Sequence, residues 1–159
     1  MSEALEPHAA AQLALQIAQD RSRWQHLVRH DASQRVFAPV DAGPYAGAWL
    51  ICWMPGHDTG FHDHDHSSGA VTVVSGQVRE ERIGADWHVT GTTYGPGDVF
   101  SFVSGDIHRM LHVGDEPAVS IHVYSPKLRL MGAYAFGEGG MQRHLLGPED
   151  ELKPLQAAS

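Results

Sequence analysis

Two spacings of apolar residues divide this chain near position 36. Before it, Ala9, Ala10, Ala11, Leu13, Ala14, Leu15 and Ile17 form a stretch of mostly strong helix formers with no glycine or β-branched run. Pro7 stands near the start, where its missing N–H costs little. Trp24, Leu27 and Val28 follow at i, i+3, i+4 spacing and predict a second short helix with one apolar stripe. From Val36 onward Gly, Pro, Asp and Ser recur at short intervals, with WLICW, AVTVVSG, DWHVTGTTY, DVFSFV and AVSIHVYS between them. These runs are rich in β-branched and aromatic residues, the composition of strands bounded by turns. A further strand is expected near His144 to Leu146, after the Gly-Glu-Gly-Gly stretch. Many short strands of this kind predict an all-β sandwich or barrel. No fixed-period repeat or linker interrupts the 159 residues, so one domain over 1–159 is expected, with residues 1–30 as a helical segment packed on it.

Composition narrows the partners. Eleven basic against nineteen acidic residues give a formal charge of −8. That balance argues against nucleic acid, whose non-specific binding needs clustered Lys and Arg. It argues equally against an anionic membrane. The lone cysteine, Cys52, excludes an intramolecular disulfide and fits a reducing compartment. Lying between Ile51 and Trp53, it reads as a buried small hydrophobe. No apolar run reaches membrane-spanning length, and the N-terminus lacks a basic region followed by an apolar stretch. A cytoplasmic monomer is the expectation.

Twelve histidines remain to be explained. In GHDTGFHDHDHSSG, His62 and His64 stand two residues apart at the start of an expected strand, where period-2 geometry puts both rings on one face and Asp63 on the other. Two such rings, ~6–7 Å apart along the backbone, can converge on one ion. His108, in GDVFSFVSGDIHRM, is the candidate third ligand, because it follows a Gly-Asp turn at a strand start. His66 and His112 read as polar surface, as do His8, His26, His30, His57, His88 and His144. The Glu80–Glu81 pair, flanked by Arg79 and Arg82, reads as a solvated strand face, since neighbours on a strand point to opposite sides.

These histidine stretches resemble the two motifs of the cupin superfamily. Gly56, His62, His64 and Gly76 fall in register with the first, with Gly69 where a glutamate ligand is expected. Gly97, Gly105 and His108 match the second, with Val103 in place of its proline. The resemblance implies a jelly-roll barrel. A three-histidine set without the carboxylate, with HDH in the first motif, is similar to the thiol dioxygenases of the cysteine dioxygenase family. SIHVYSP strengthens that likeness, because Ser120, His122 and Tyr124 alternate with Ile121 and Val123 and so share one sheet face. SPKL and Gly139-Gly140 also resemble bacterial members.

The resemblance implies Fe²⁺ on His62, His64 and His108, with a small thiol, cysteine foremost, and O₂ as partners. The product would be a sulfinic acid. An Fe²⁺ held by three neutral imidazoles keeps its full charge and favours an anionic thiolate donor. Tyr124 would face bound substrate and oxygen, with His122 positioning Tyr124 and Ser120 orienting His122. The family's substrate carboxylate is held by an arginine upstream of the first motif, which points to Arg35; the adjacent Gln34 resembles the branch that takes 3-mercaptopropionate. Mammalian members cross-link a cysteine to the active-site tyrosine, and Gly69 holds that place here. Three imidazoles and a water also describe a Zn²⁺ site, so a Zn²⁺ or Mn²⁺ hydrolase or isomerase is the alternative, and a metal-dependent binding module a third class.

Overall fold

A computed structural model describes residues 4–156 of the chain. One helix, α1 (Pro7–Gln19), precedes two antiparallel sheets. The first sheet runs β1 (Val36–Val40), β2 (Gly47–Trp53), β9 (Ala118–Ser125), β4 (Ser68–Ser75), β7 (Val99–Phe102). The second runs β11 (Gly140–Leu146), β10 (Met131–Gly137), β3 (His62–Asp63), β8 (Ile107–Val113), β5 (Gln77–Ile83), β6 (Val89–Tyr94). A two-residue strand, β12 (Leu155–Gln156), adds to β10 in parallel.

Every expected strand is present. The expected second helix is not: Arg21–Arg23 and Gln25–Leu27 form two single 3₁₀ turns instead. The cause lies in Trp24, whose indole N–H turns back and donates to the carbonyls of Ile17 (3.1 Å) and Ala18 (3.2 Å) at the end of α1, the first of which also accepts the Asp20 N–H. Strand β10 gives no alternating signal in the sequence. Met131 to Ala135 are all buried, on both faces of the sheet, and Gly132, Ala133 and Ala135 carry little strand preference. Strand β1 contains Pro39, which an edge position tolerates.

Period 2 sorts β2 and β9 between two interiors. Ala48, Leu50 and Cys52 of β2, with Val119, Ile121 and Val123 of β9, face outward onto Ala10, Ala14 and Ile17 of α1. Those three helix residues recur at i, i+4, i+7 and form its buried stripe. Trp49, Ile51 and Trp53, with Ala118 and Tyr124, face inward, packed with Val71, Val73, Val78, Phe100, Phe102 and Met110. Cys52 is the small buried hydrophobe expected of it, and burial pushes its thiol up. Among the described residues no helix is long and apolar enough to cross a membrane.

Because Ile17 is fully buried between α1 and the sheet, Ile17→Ala is expected to cost about 2–5 kcal/mol of stability. Urea denaturation measures it; a loss below about 0.5 kcal/mol, typical of a surface change, would show that α1 does not depend on this packing.

Candidate metal centre

His62 and His108 are brought together by backbone pairing, since they stand directly opposite each other across β3 and β8. His64 lies just past the two-residue strand, yet its ring still turns to the same point, 4.9 Å from the rings of both His62 and His108. One ligand atom from each residue lies within 4.8 Å of the others, and all three side chains are buried. Asp63 points the other way, as alternation requires. Its carboxylate accepts bonds from Arg143 (2.8 and 2.9 Å), from the Tyr134 hydroxyl and from the Gly132 backbone N–H, tying β3 to β10 and β11. Burial works against that charge, but the Arg143 and Tyr134 bonds dominate and bring Asp63 down to about 2.

The donor set is prepared for a cation. Nδ1–H of His62 donates to the Gly60 carbonyl at 2.9 Å, and Nδ1–H of His108 donates to Glu80 at 2.6 Å, so each ring presents a bare Nε2 inward. Nε2 of His108 is the one buried side-chain polar atom without a hydrogen-bond partner among the described residues. A buried unpaired nitrogen beside two more imidazoles fits a metal ion, which would satisfy it. Desolvation, followed by repulsion from neighbouring cations, holds His62 and His64 well below the usual histidine range, so both remain neutral donors. The cluster implies a metal cofactor.

Ser120, His122 and Tyr124 line up beside it on β9, buried rather than on a solvated edge. Trp53 Nε1–H donates to Ser120 Oγ at 2.9 Å, Ser120 Oγ lies 2.7 Å from His122 Nε2, and Tyr124 Oη lies 3.4 Å from His122 Nδ1. Two tautomers fit these contacts; in one of them Ser120 donates to Nε2 and Nδ1–H donates to the Tyr124 oxygen. The Tyr124 hydroxyl hydrogen is then free to point elsewhere. Burial brings His122 down to about 3 and pushes the Tyr124 phenol up, so both are neutral at physiological pH. The Tyr124 ring is 5.2 Å from that of His64.

Arg35 is buried while Gln34 is exposed. The Arg35 guanidinium sits 5.2 Å over the Trp53 ring and donates to the Leu152 carbonyl. With Tyr124, Trp49, Leu128 and, from the C-terminal stretch, Pro148 and Leu152, it lines a small cavity of about 50 Å³. A larger open cleft of about 760 Å³ borders His64 but holds neither Arg35 nor the Ser120–His122–Tyr124 run.

Two expectations are corrected. Glu80 is not on a solvated face: it is 3% exposed and holds His108, while Glu81 on the opposite face pairs with Arg79 and Arg109. Burial would raise the Glu80 carboxyl, but the bonds from His108 and Arg82 keep it below its ordinary value. A position two residues from Arg82, diagonal to His108 across the strand pair, was the available signal. His112 is likewise buried rather than at the surface, bonded to the Glu116 carbonyl and outside the cluster. His66 is exposed, as expected.

Position 69 leaves no room for a side chain. Gly69 stands opposite Tyr124 and Phe102 in the sheet, and a Cβ there would lie 2.1 Å from the Val123 carbonyl and 2.7 Å from Phe102. Phe102 stacks on His64 with ring centres 4.2 Å apart.

Solved structures with the same architecture identify the fold as a cupin. A conserved protein with a double-stranded β-helix domain from Klebsiella pneumoniae has a TM-score of 0.56 at 22% identity, covering 64% of this chain and 80% of that one. A cupin superfamily protein from Desulfitobacterium hafniense gives 0.54 at 11% identity, covering 65% and 87%. Oxalate decarboxylase from Bacillus subtilis gives 0.54 at 21% identity, covering 60% and 26%. In sequence, a cysteine dioxygenase type 1 from Danio rerio is 28% identical over 114 residues, 65% of this chain and 57% of that protein, so the chain spans little more than half the relative's length. The family model described as cysteine dioxygenase type I matches residues 3–136, and with the three histidines and the Ser120–His122–Tyr124 run in place the chain belongs to that family.

Proposed function

We propose that this protein is a non-haem iron thiol dioxygenase that oxidises a small thiol, cysteine foremost, with O₂ to the sulfinic acid. The observation that carries the reading is the juxtaposition of three buried histidines with Tyr124, whose ring lies 5.2 Å from His64. His62, His64 and His108 would hold Fe²⁺, which when bound supplies the O₂ chemistry and favours the thiolate over the thiol. Family membership supports this activity, and the small-molecule partners follow from it.

The chain's own residues place and hold the reactants. Arg35 offers a buried guanidinium with donors beyond the one given to Leu152, suited to a bidentate grip on a substrate carboxylate. Burial of Arg35 and exposure of Gln34 favour a cysteine-type grip over the 3-mercaptopropionate type. Tyr124, receiving the His122 hydrogen bond, keeps its own O–H to donate toward the substrate or oxygen. Ser120, pinned by Trp53, sets the His122 tautomer that makes this possible. A zinc hydrolase gives the run no comparable task.

No thioether forms at Tyr124 in this reading. Gly69 has no side chain to offer, and Cys52 faces α1 on the outer side of β2, away from the inward-facing Tyr124. Intact mass after prolonged turnover is expected to be unchanged; a hydrogen-deficient product mapped to a Cys52–Tyr124 peptide would overturn this.

Oxygen uptake on adding cysteine, cysteamine or 3-mercaptopropionate to protein loaded with Fe²⁺, Zn²⁺ or Mn²⁺ tests the activity itself, and uptake is expected with iron alone and cysteine best. His62→Ala, His64→Ala and His108→Ala are each expected to abolish iron binding, with His66→Ala retaining it. Tyr124→Phe is expected to keep iron and lose roughly 10²-fold in turnover. Full turnover in that variant would remove Tyr124 from the reaction, and thiol-independent chemistry with zinc would replace the dioxygenase reading.

Neutral buried histidines also fix a pH dependence for the metal-free fold. His62, His64 and His122 stay unprotonated when folded, whereas the unfolded chain protonates each below about 6.5. The unfolded state then binds more protons, so stability is complete above that value and falls as pH drops, for His122 down to about 3. Urea midpoints in the presence of a chelator are expected to decline from about pH 7 to about pH 5. Midpoints flat across that window would contradict the buried neutral state.

A further inference from the structure

Nothing in the mechanism above uses Glu80, yet it is among the most deeply placed charges in the protein. Its side chain is 4% exposed and that of His108 is 2% exposed. Strand register explains how they meet. In the β5–β8 pair Arg82 stands opposite His108 and Glu80 opposite Met110, so Glu80 reaches His108 across the diagonal on the inward face. Glu80 Oε2 accepts the His108 Nδ1–H at 2.6 Å, and Oε1 accepts Arg82 Nε–H at 2.8 Å.

Charge counting around this contact leaves a surplus. Arg82 is shared, since its Nη1 lies 3.5 Å from Asp106 as well. Two carboxylates on one guanidinium leave about one negative charge in the group, and its route to the metal centre is the His108 ring. The other two histidines have no such partner: His62 donates to the neutral Gly60 carbonyl, and the Asp63 carboxylate is directed at Arg143 and Tyr134. Glu80 is thus the one carboxylate bonded to a histidine of the cluster among the described residues.

We propose that Glu80 is a positioning residue of this centre: it locks the His108 ring with Nε2 bare and brings anionic character to an otherwise neutral donor set. The proposal rests on the metal-binding part of the reading above and on no part of its thiol chemistry. Two consequences follow. A neutral residue at 80 weakens the hold on a divalent cation, because the imidazole becomes a poorer donor and its ring is less constrained. It also favours Fe²⁺ over Fe³⁺, since the higher charge gains more from a nearby anion.

The test uses the full chain and Fe²⁺ alone, added anaerobically, without thiol or O₂. Glu80→Gln keeps the size of the side chain and removes its charge. It is expected to bind Fe²⁺ about 10–100-fold more weakly than the native protein, with the Fe³⁺/Fe²⁺ potential shifted upward. Glu81→Gln makes the same change of charge on the opposite face of the same strand and is expected to alter neither quantity. Equal affinity and potential in Glu80→Gln and native protein would overturn the proposal, as would equal losses in the two variants. A merely structural role would not move the potential in a folded variant.

Should Glu80→Gln fail to fold, the native protein still decides. Imidazole ¹⁵N chemical shifts in the metal-free state are expected to show His108 protonated at Nδ1 and bare at Nε2; the reverse tautomer would sink the proposal. Native protein that binds Fe²⁺ but consumes no O₂ with any thiol would refute the dioxygenase reading and leave these measurements standing on their own.

Discussion

A strand buried on both faces has to satisfy two different interiors with one alternating sequence, and the rest of this protein is arranged around that constraint on Ala118–Ser125. Its odd-numbered side chains, Val119, Ile121 and Val123, meet the stripe of α1. Its even-numbered ones, Ser120, His122 and Tyr124, turn into the interior and carry polar groups that burial would penalise if left unpaired. Pairing is supplied within the strand and by Trp53. Flanking by β2 and β4 fixes the register, and a one-residue slip would send histidine and tyrosine into the helix contact.

The same economy of partners governs the histidines. Two of these imidazoles, His62 and His64, are kept neutral chiefly by desolvation. Neutral rings need one donor bond each to set which nitrogen faces inward. Gly60 provides it for His62 through its carbonyl, and Glu80 provides it for His108 through a carboxylate. Burial that would be costly in an ordinary core therefore yields aligned lone pairs, and the one orphaned nitrogen marks where an ion belongs.

How much of this could be read from the sequence depended on whether the signal was periodic or contextual. Runs of β-branched and aromatic residues between turns announced β2, β4, β6, β7 and β9, and a period of two placed Ser120, His122 and Tyr124 on one face. His62, His64 and His108 come together in the structure, although His64 lies outside the short strand that was expected to orient it. Trp24 looked helical by spacing, but the indole's bonds to the last carbonyls of α1 outweighed a second short helix. Glu80 was misread because charged neighbours on a strand ordinarily face water. What reverses the rule is a partner 28 positions along the chain, His108, and the β5–β8 register brings the two together. Gln34 and Arg35 could not be ordered by pattern at all, since one residue of phase decides which is buried.

Glycine shows why the surrounding loops are as constrained as the strands. Gly60 adopts a positive φ of 69°, and a Cβ there would lie 2.7 Å from Pro154 Cα and 2.8 Å from the Lys153 carbonyl. The C-terminal stretch can therefore lie directly on Gly60, whose own carbonyl holds His62. Two residues earlier the same stretch gives the Leu152 carbonyl to Arg35 and buries the Leu152 side chain against Met131 and Ala133. This segment lies beyond residue 136, where the family match ends, yet it lines the cavity that Arg35 and Tyr124 share. Sequence outside the matched family region thus reaches Gly60 and Arg35, through backbone contacts that require the absence of a side chain at Gly60 and leave no trace in a hydrophobic pattern.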